Sequence, residues 1–154
     1  MTAQIAVARP KAPPSPPSSP DEIELQFYEA LQRGDIERLM AVWSDDDDIS
    51  CVHPGAPRLV GAAAIRASFD AMFGQGAIDA HPERVRRLRS HSCAVHSVLE
   101  RVRVLAADGP QSAWVVATNV YLKTAEGWRL VAHHASPGMP GAVQVLVEAA
   151  SVLH

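Results

Sequence analysis

The spacing of apolar residues along the chain changes once, from a helical period to a period of two. Apolar side chains recur every three or four residues over most of Asp21 to Phe73, and they alternate with polar ones from Arg84 to Ala135. The first period indicates amphipathic helices, and the second indicates strands with one buried face. Helices first and consecutive strands afterwards predict an α+β domain with helices on one face of a bent sheet.

Three helices are predicted in the first half of the chain. The first begins at Asp21, which forms a D-x-x-E variant of the capping box with Glu24, and it ends at Gly34. Asp35 caps a short second helix, and a third runs over residues 62–73. The apolar positions of these helices are Ile23, Phe27, Ala30, Leu31, Ile36, Leu39, Met40, Trp43, Ile65, Phe69, Met72 and Phe73.

Five strands are predicted. A short one, Ile49 to His53, lies between the second and third helices and stops at a Pro-Gly turn. Two turn sequences, A-D-G-P and A-E-G, join the last three strands as hairpins. The four later strands are Arg84 to Arg89, Cys93 to Leu105, Ser112 to Lys123 and Trp128 to Ala135.

The two ends of the chain differ in composition from its centre. Residues 1–20 hold six of the twelve prolines and few large side chains, which predicts a disordered Pro-rich tail. The domain itself spans residues 21–137. Residues 138–154 form a C-terminal extension whose apolar residues suit either a helix or a strand, and which is a candidate oligomer contact.

Charge and composition exclude several classes of partner. A net charge of -3 gives no general attraction to nucleic acid or to an anionic membrane. There is no apolar run of about 20 residues that could cross a bilayer, and the N-terminus is a poor signal peptide, so we expect a cytoplasmic protein. Cys51 and Cys93 are interpreted as buried thiols, with a disulfide between them left open.

His53 and Asn119 are the candidate functional residues. His53 shares strand phase with Ile49 and Cys51 and therefore faces inward, where an imidazole can act as a general acid or base or can cap the following turn. Asn119 lies on the same strand face as Tyr121, among apolar neighbours, so its amide needs a partner in the ligand or in the protein.

The remaining histidines do not predict a metal site. His133 and His134 are adjacent in a strand, so only one of them can face a pocket. A histidine-only set would need convergent ligands from several strands, and we expect neither a metal nor a cofactor. His96 and Glu100 share a strand face and form either a relay or a cross-strand contact.

The order of these elements resembles the nuclear-transport-factor-two-like superfamily, in particular its SnoaL-like and ketosteroid-isomerase-like branches. The matching pieces are F-Y-E-A-L-Q-R-G-D, A-V-W-S-D-D-D-D with V-H-P-G, L-V-G-A-A-A-I-R and the hairpin T-N-V-Y-L-K-T-A-E-G-W-R-L-V-A-H-H-A-S. This resemblance implies a cone-shaped half-barrel, in which a strongly bent and mostly antiparallel sheet wraps around three N-terminal helices and encloses a pocket. It also implies a homodimer formed through the outer face of the sheet.

The resemblance also assigns roles to residues. The proton-transferring base falls on His53, and the second oxyanion-hole donor falls on Asn119. The helix tyrosine falls on Phe27, which cannot donate a hydrogen bond, and Tyr28 is one residue away. The residues expected to line the pocket are Phe27, Tyr28, Trp43, Cys51, Tyr121 and His134.

Two functions follow. The first is cofactor-independent acid/base chemistry of the isomerase, dehydratase or cyclase type on a small apolar ligand, with His53 as the proton shuttle. The alternative is a non-catalytic dimeric module that binds a ligand or another protein. The loss of the helix tyrosine and the expected lack of a second inward carboxylate favour the alternative. The ligand itself is not indicated by the sequence.

Overall fold

Three helices and six strands make up the part of the chain described by the computed structural model, residues 19–140 and 144–148. In chain order they are α1 (Pro20–Arg33), α2 (Ile36–Met40), β1 (Ser50–Val52), β2 (Arg58–Val60), α3 (Ala62–Phe73), β3 (Asp79–Arg89), β4 (Cys93–Ala106), β5 (Gly109–Thr124) and β6 (Gly127–Pro137).

All six strands belong to one bent sheet in the order β2-β1-β6-β5-β4-β3. Strands β3 to β6 form an antiparallel meander, and the two hairpins within β4–β5–β6 close over two-residue loops, as the turn sequences predicted. Strand β1 joins this meander in parallel with β6, with Cys51 beside His133. The α+β fold with helices on one face of a bent sheet is therefore confirmed.

Helix α1 begins earlier than its sequence pattern suggested. Ser19 is the N-cap, and its hydroxyl accepts a hydrogen bond from the Glu22 backbone N–H at 3.2 Å. The predicted capping box is not formed, because the Glu24 side chain is buried against the sheet instead. The predicted end is confirmed: Gly34 has φ 63°, a left-handed conformation that glycine adopts without strain.

The core lies between the helices and the inward face of the sheet. Phe27, Leu39, Ile65 and Leu130 are fully buried there, which places the apolar stripes of all three helices on the same side. Burial of apolar surface stabilises the fold by about 25 cal/mol per Å². This packing leaves one face of the sheet to solvent and the other to the helices.

Strand β3 is longer than predicted, and β2 was not predicted. Strand β3 begins at Asp79 rather than Arg84, and its register shifts between Glu83 and Arg86. Pro82 and the shift, where Arg84 takes a positive φ of 46°, interrupt the alternation that sequence reasoning relies on. Strand β2 has only three residues, too few for a period to show.

The predictions for the chain ends are tested only in part. Residues 1–18, on which the Pro-rich tail was predicted, lie outside the described residues, as do 141–143 and 149–154. Residues 144–148 form neither a helix nor a strand, so neither alternative for the C-terminal extension holds over that stretch. Cys51 and Cys93 are free thiols. Within the described ranges, none of the helices has the length and apolar character that a membrane span needs.

Candidate functional site

A cavity of about 180 Å³ lies between α1, α3 and the inward face of the sheet. Its wall is mostly apolar, with three titratable side chains, His53, Glu100 and His133. Such a combination is typical of a small-molecule site, where apolar surface holds the ligand and a few polar groups orient it. The other lining residues are Phe27, Leu31, Pro54, Phe69, Met72, Ile78, Ala80, Val102, Val115 and Ala135.

Helix α1 presents three residues to the sheet through its helical spacing. Glu24, Phe27 and Tyr28 lie three and four residues apart, so their side chains share one face. All three residues are buried, each at most 5% exposed. The helix therefore brings a carboxylate and a phenol into the interior, beside the aromatic ring that lines the cavity.

The sheet presents a row of polar side chains to the same region. His96, Asn119 and His133 occupy one rung across β4, β5 and β6, and all three point inward. Tyr121 lies two residues beyond Asn119 on β5. Glu100 lies four residues beyond His96 on β4 and, because the two strands are antiparallel, on the opposite side of the rung from Tyr121. Because side chains alternate along a strand, these residues share the buried face.

Glu24 is the centre of one half of a buried hydrogen-bond network. Its Oε2 accepts hydrogen bonds from the Tyr121 hydroxyl at 2.6 Å and from Nδ1 of His96 at 2.8 Å. The Asn119 Nδ2 amide also points at this oxygen, at 3.5 Å. A buried carboxylate needs several donors to offset the loss of its hydration, and these three groups supply them.

The other half of the network reaches the cavity wall. The Asn119 amide donates to the Tyr28 hydroxyl at 3.1 Å, and this hydroxyl donates to Oε2 of Glu100 at 2.7 Å. The opposite end of the amide, Oδ1, lies 2.5 Å from Nδ1 of His133. Asn119 therefore connects the Glu24 cluster to both titratable groups that line the inner part of the cavity.

Burial shifts the pKa values of Glu100 and His133 in opposite directions. It raises the pKa of Glu100 to about 7, with the Tyr28 hydrogen bond opposing this shift and the charge of Glu24 adding to it. Burial also lowers the pKa of His133 to about 3, and the nearby His53 and His134 add to that shift. At neutral pH, His133 is uncharged and Glu100 is divided between its two forms.

His53 stands at the end of β1, on the cavity wall beside Pro54. It is half-buried, its ring packs edge-on against Phe69 at 4.9 Å between centroids, and its Nε2 lies 4.0 Å from Sγ of Cys51. Burial lowers the pKa of His53, so this imidazole is neutral at pH 7 and able to accept a proton. Burial raises the pKa of the Cys51 thiol to about 12, which leaves it unreactive.

The residues predicted for the site occupy different places. His53 and Phe27 line the cavity, whereas Tyr28, Asn119 and Tyr121 lie behind its wall in the hydrogen-bond network. Asn119 is fully buried, and its amide groups are engaged by protein partners. Its amide groups therefore contact protein side chains, and Asn119 is not among the residues that line the cavity.

The other three predicted lining residues are not on the cavity wall. His134 is exposed on the outer face of the sheet, and the neighbouring His133 takes the inward place. Trp43 is buried beside Leu130, and Cys51 is buried on β1. The two histidines point to opposite faces because side chains alternate along a strand. The register shift in β6 lies before this pair, so it does not disturb the alternation between them.

Sequence reasoning missed the two buried carboxyl groups. Glu24 and Glu100 are 5% and 6% exposed, contrary to the expectation that a second inward carboxylate is lacking. Both had a signal in the sequence: Glu24 falls within the apolar stripe of α1, and Glu100 shares strand phase with His96 and Val98. His96 and Glu100 do not bond to each other, because each pairs with a different residue of α1.

The described residues do not include a cluster of three or more histidine, cysteine, aspartate or glutamate side chains that could hold a metal ion. The polar groups of the site are instead paired with one another. What the site offers is an apolar void, a neutral imidazole acceptor and a carboxyl group poised near neutrality. These are the elements of ligand binding and of proton transfer.

Comparison with known proteins agrees with this fold. A SnoaL-like domain model matches residues 22–140. None of the curated proteins matches the chain. A solved structure from Thiobacillus denitrificans, provisionally assigned as a calcium/calmodulin-dependent protein kinase type II association domain, is 36% identical with a TM-score of 0.73. The match covers 82% of this chain and 100% of that one.

Two further solved structures are similar. One, from Streptomyces avermitilis, is provisionally assigned as a dehydratase of the NTF2-like family, with 30% identity and a TM-score of 0.68 over 76% of this chain and 92% of that one. A CaMKII hub from S. rosetta shares the fold at 22% identity and a TM-score of 0.63, over 79% of this chain and 99% of that one. This protein belongs to the SnoaL-like family, within the NTF2-like superfamily.

Proposed function

We propose that the cavity binds a small, largely apolar molecule and that Glu100 and His53 move a proton on it without a cofactor. The observation that carries this proposal is the placement of the Glu100 carboxyl group on the wall of an apolar cavity, where burial raises its pKa to about 7. A general acid or base works best when its pKa lies near the working pH.

Glu100 has the better position of the two groups. Its Oε2 is held by the Tyr28 hydroxyl, and the described part of the protein offers no hydrogen-bond partner for its other carboxyl oxygen. One oxygen is thus fixed while the other remains available to a ligand. Since burial keeps both protonation states accessible near pH 7, Glu100 can accept a proton from a ligand carbon and return it elsewhere.

His53 also lines the cavity and supports this role. It is neutral at pH 7 and half-buried at the end of β1, so it is a second base that also has access to solvent. We assign His53 the role of the proton shuttle between the cavity and solvent. Asn119 acts through Tyr28 and His133 by fixing their orientations.

Proton exchange tests the proposal without requiring the natural substrate. Single-ring ketones, such as cyclohexanone and cyclohexenone, are incubated with the protein in D₂O, and exchange of their α-protons is followed by NMR. We expect exchange above the buffer rate, a loss of about 100-fold or more in Glu100→Gln, and a loss of about 10-fold in His53→Ala. Glu126→Gln, which changes an exposed glutamate in the last hairpin, is the matched control.

Two outcomes would overturn the enzyme proposal. One is exchange at the buffer rate for every ketone in the panel, and the other is an equal rate in Glu100→Gln and the wild-type protein. If the ketones bind and are recovered unlabelled, the protein is the non-catalytic ligand-binding module of the alternative. In that case the carboxyl group serves only to orient the ligand.

We further propose that the protein forms a homodimer through the outer face of its sheet. Leu88, Val95, Val120 and Ala132 form one apolar rung across β3, β4, β5 and β6 on that face. Leu88 is 76% exposed, and the other three are partly exposed. An exposed apolar patch of this kind is typical of an interface, and the similar structures include an association domain and a hub.

Light scattering after gel filtration tests the dimer. We expect a mass near twice that of the 16.5 kDa chain for the wild-type protein and a shift to the monomer mass in Leu88→Arg. Leu105→Arg, at a 92% exposed leucine near the tip of the β4–β5 hairpin, is the control and should remain dimeric. A wild-type monomer, or a dimer that survives Leu88→Arg, would rule out this interface.

A further inference from the structure

The buried network sets the orientation of the Asn119 amide. Oε2 of Glu24 accepts the hydrogen bond of the Tyr121 hydroxyl, so the Asn119 side that faces this oxygen carries the Nδ2 protons. The Tyr28 hydroxyl accepts a hydrogen bond from the same Nδ2 group and donates one to Oε2 of Glu100. The amide therefore presents its oxygen, Oδ1, to His133.

This direction selects one tautomer of His133. Oδ1 of Asn119 is an acceptor, so Nδ1 of His133, 2.5 Å away, carries a hydrogen. Burial keeps the imidazole neutral by lowering its pKa to about 3, so its Nε2 has a lone pair and no proton. Nε2 has no hydrogen-bond partner among the described residues, although His133 lines the cavity. The cavity wall thus holds one fixed hydrogen-bond acceptor.

The rest of the wall restricts the charge of a ligand. Among the described residues that line it there is no lysine or arginine, and the remaining titratable groups are the Glu100 carboxyl and the neutral His53. A carboxylate or phosphate ligand would lose its hydration here without gaining a cation, and it would be repelled by the ionised form of Glu100. The wall therefore favours neutral ligands over anions.

The volume restricts the ligand's size. An apolar cavity of about 150 Å³ is enough to hold a benzene molecule. The cavity here, at about 180 Å³, holds a single ring with one or two small substituents. Two fused rings would require the lining residues to move.

We propose that the cavity selects a neutral molecule of single-ring size whose hydroxyl or N–H group donates a hydrogen bond to Nε2 of His133. This inference shares its cavity with the proposed function but does not require proton transfer. It narrows the ligand preference of the same cavity to a ring or ring-sized chain with a donor group, uncharged at neutral pH.

Three one-ring probes of similar size test the proposal. Phenol supplies the donor, toluene lacks it, and benzoate is an anion. Their dissociation constants at pH 7 therefore test separately the preference for a hydrogen-bond donor and the preference for a neutral ligand. We expect phenol to bind about tenfold more tightly than toluene, as one hydrogen bond to a buried acceptor allows. Benzoate should bind at least tenfold more weakly than phenol. Equal affinities for phenol and toluene, or tighter binding of benzoate, would overturn the proposal.

A spectroscopic measurement avoids variants that fold poorly. The ¹⁵N resonance of Nε2 in His133 should have the frequency of an unprotonated imidazole nitrogen and should move upfield on addition of phenol but not of toluene. His134→Ala, which removes the exposed neighbour, is the matched control and should leave the signal and the affinity for phenol unchanged. A protonated Nε2, or a signal that phenol leaves in place, would contradict the assignment.

The two proposals fail separately. Glu100→Gln should abolish ketone exchange but retain the preference for phenol over toluene. If ketone exchange is absent while phenol is still preferred, the ligand class stands and the catalytic role is lost. If exchange occurs without a preference for phenol, the catalytic role stands and the proposed ligand class is wrong.

Discussion

The Tyr28 hydroxyl donates a 2.7 Å hydrogen bond to Oε2 of Glu100, and no other described side chain hydrogen-bonds to that carboxyl group. Both residues are buried, and they are joined across 72 positions of the chain. The bond links the first helix to the cavity wall. It also couples the protonation of Glu100 to the identity of a residue that does not itself line the cavity.

Removal of this bond should raise the pKa of Glu100 further. Burial raises that pKa to about 7 and the Tyr28 bond opposes it, so Tyr28→Phe leaves burial unopposed. A hydrogen bond to a charged group contributes about 1.5–3 kcal/mol, so we expect an upward move of about one to two pH units. The pH profile of ketone exchange, or the ¹³C resonance of the Glu100 carboxyl, measures it.

Tyr121→Phe is the control for that experiment. It removes a buried phenol hydroxyl of the same kind, but one that donates to Glu24 rather than to Glu100. We expect its Glu100 titration to stay near that of the wild-type protein. Equal shifts in the two variants would mean that the effect comes from general loosening of the core and not from the Tyr28 bond.

Glu100 should make the protein less stable as the pH rises from about 4.5 to about 7. Its folded-state pKa of about 7 lies above the ordinary value of 4.5, so in this interval the folded state holds a proton that the unfolded state has lost. The loss in free energy of unfolding approaches about 3 kcal/mol above pH 7. Glu100→Gln should remove this dependence.

Urea unfolding at pH 5 and pH 8 measures this effect. The free energy of unfolding of Glu100→Gln, relative to the wild-type protein, should be higher at pH 8 than at pH 5. Glu126→Gln changes an exposed glutamate and should show no such difference. A constant difference between Glu100→Gln and wild type at the two pH values would count against a raised Glu100 pKa.

His133 should have the opposite effect on the acid side. Its folded-state pKa is lowered to about 3 from 6.5, so between these values the unfolded state binds a proton that the folded state excludes. Stability from this group is complete above pH 6.5 and is lost as the pH falls toward 3, by roughly 5 kcal/mol in total. Imidazole NMR should show a neutral His133 ring from pH 7 down to the onset of acid unfolding. Protonation of the ring in the folded protein near pH 6 would refute this.

Asn119→Ala should destabilise the fold without touching the cavity surface. It leaves the Nδ1 hydrogen of His133 and the Tyr28 hydroxyl each short of a buried partner. The expected loss is on the order of 3 kcal/mol in the free energy of unfolding, measured with urea. Thr118→Ala, one residue away on the exposed face, should change it by less than about 0.5 kcal/mol. Similar losses in the two variants would show that the network contributes little.

The sequence predicted the elements of this fold better than the contacts of its site. The stripe of Ile23, Phe27 and Leu31 and the stop at Gly34 locate α1, and the two-residue turns locate the hairpins, because these signals are local. The placement of His53 at the cavity also followed from local strand phase. Each of these predictions depends on residues only a few positions apart.

The buried carboxyl groups required information that is not local. A glutamate in an apolar stripe is ordinarily taken as exposed, since burial of a charge is costly unless partners meet it. The partners of Glu24 are His96 and Tyr121, 72 and 97 positions away. These residues come together only through the register of the paired strands. That register cannot be predicted from the periodicity of a single helix or strand.

The parallel pairing of β1 with β6 has a consequence for how the protein is made. Cys51 and His133 lie side by side although 82 positions of chain separate them. The ribosome must therefore release β6 before His53 and His133 can line the same cavity, and pairing β1 with β6 carries a large loop-closure entropy cost. A nascent chain can form α1 and pair β3 with β4, but the cavity, which is lined in part by His133 and Ala135, cannot form until β6 has been synthesised.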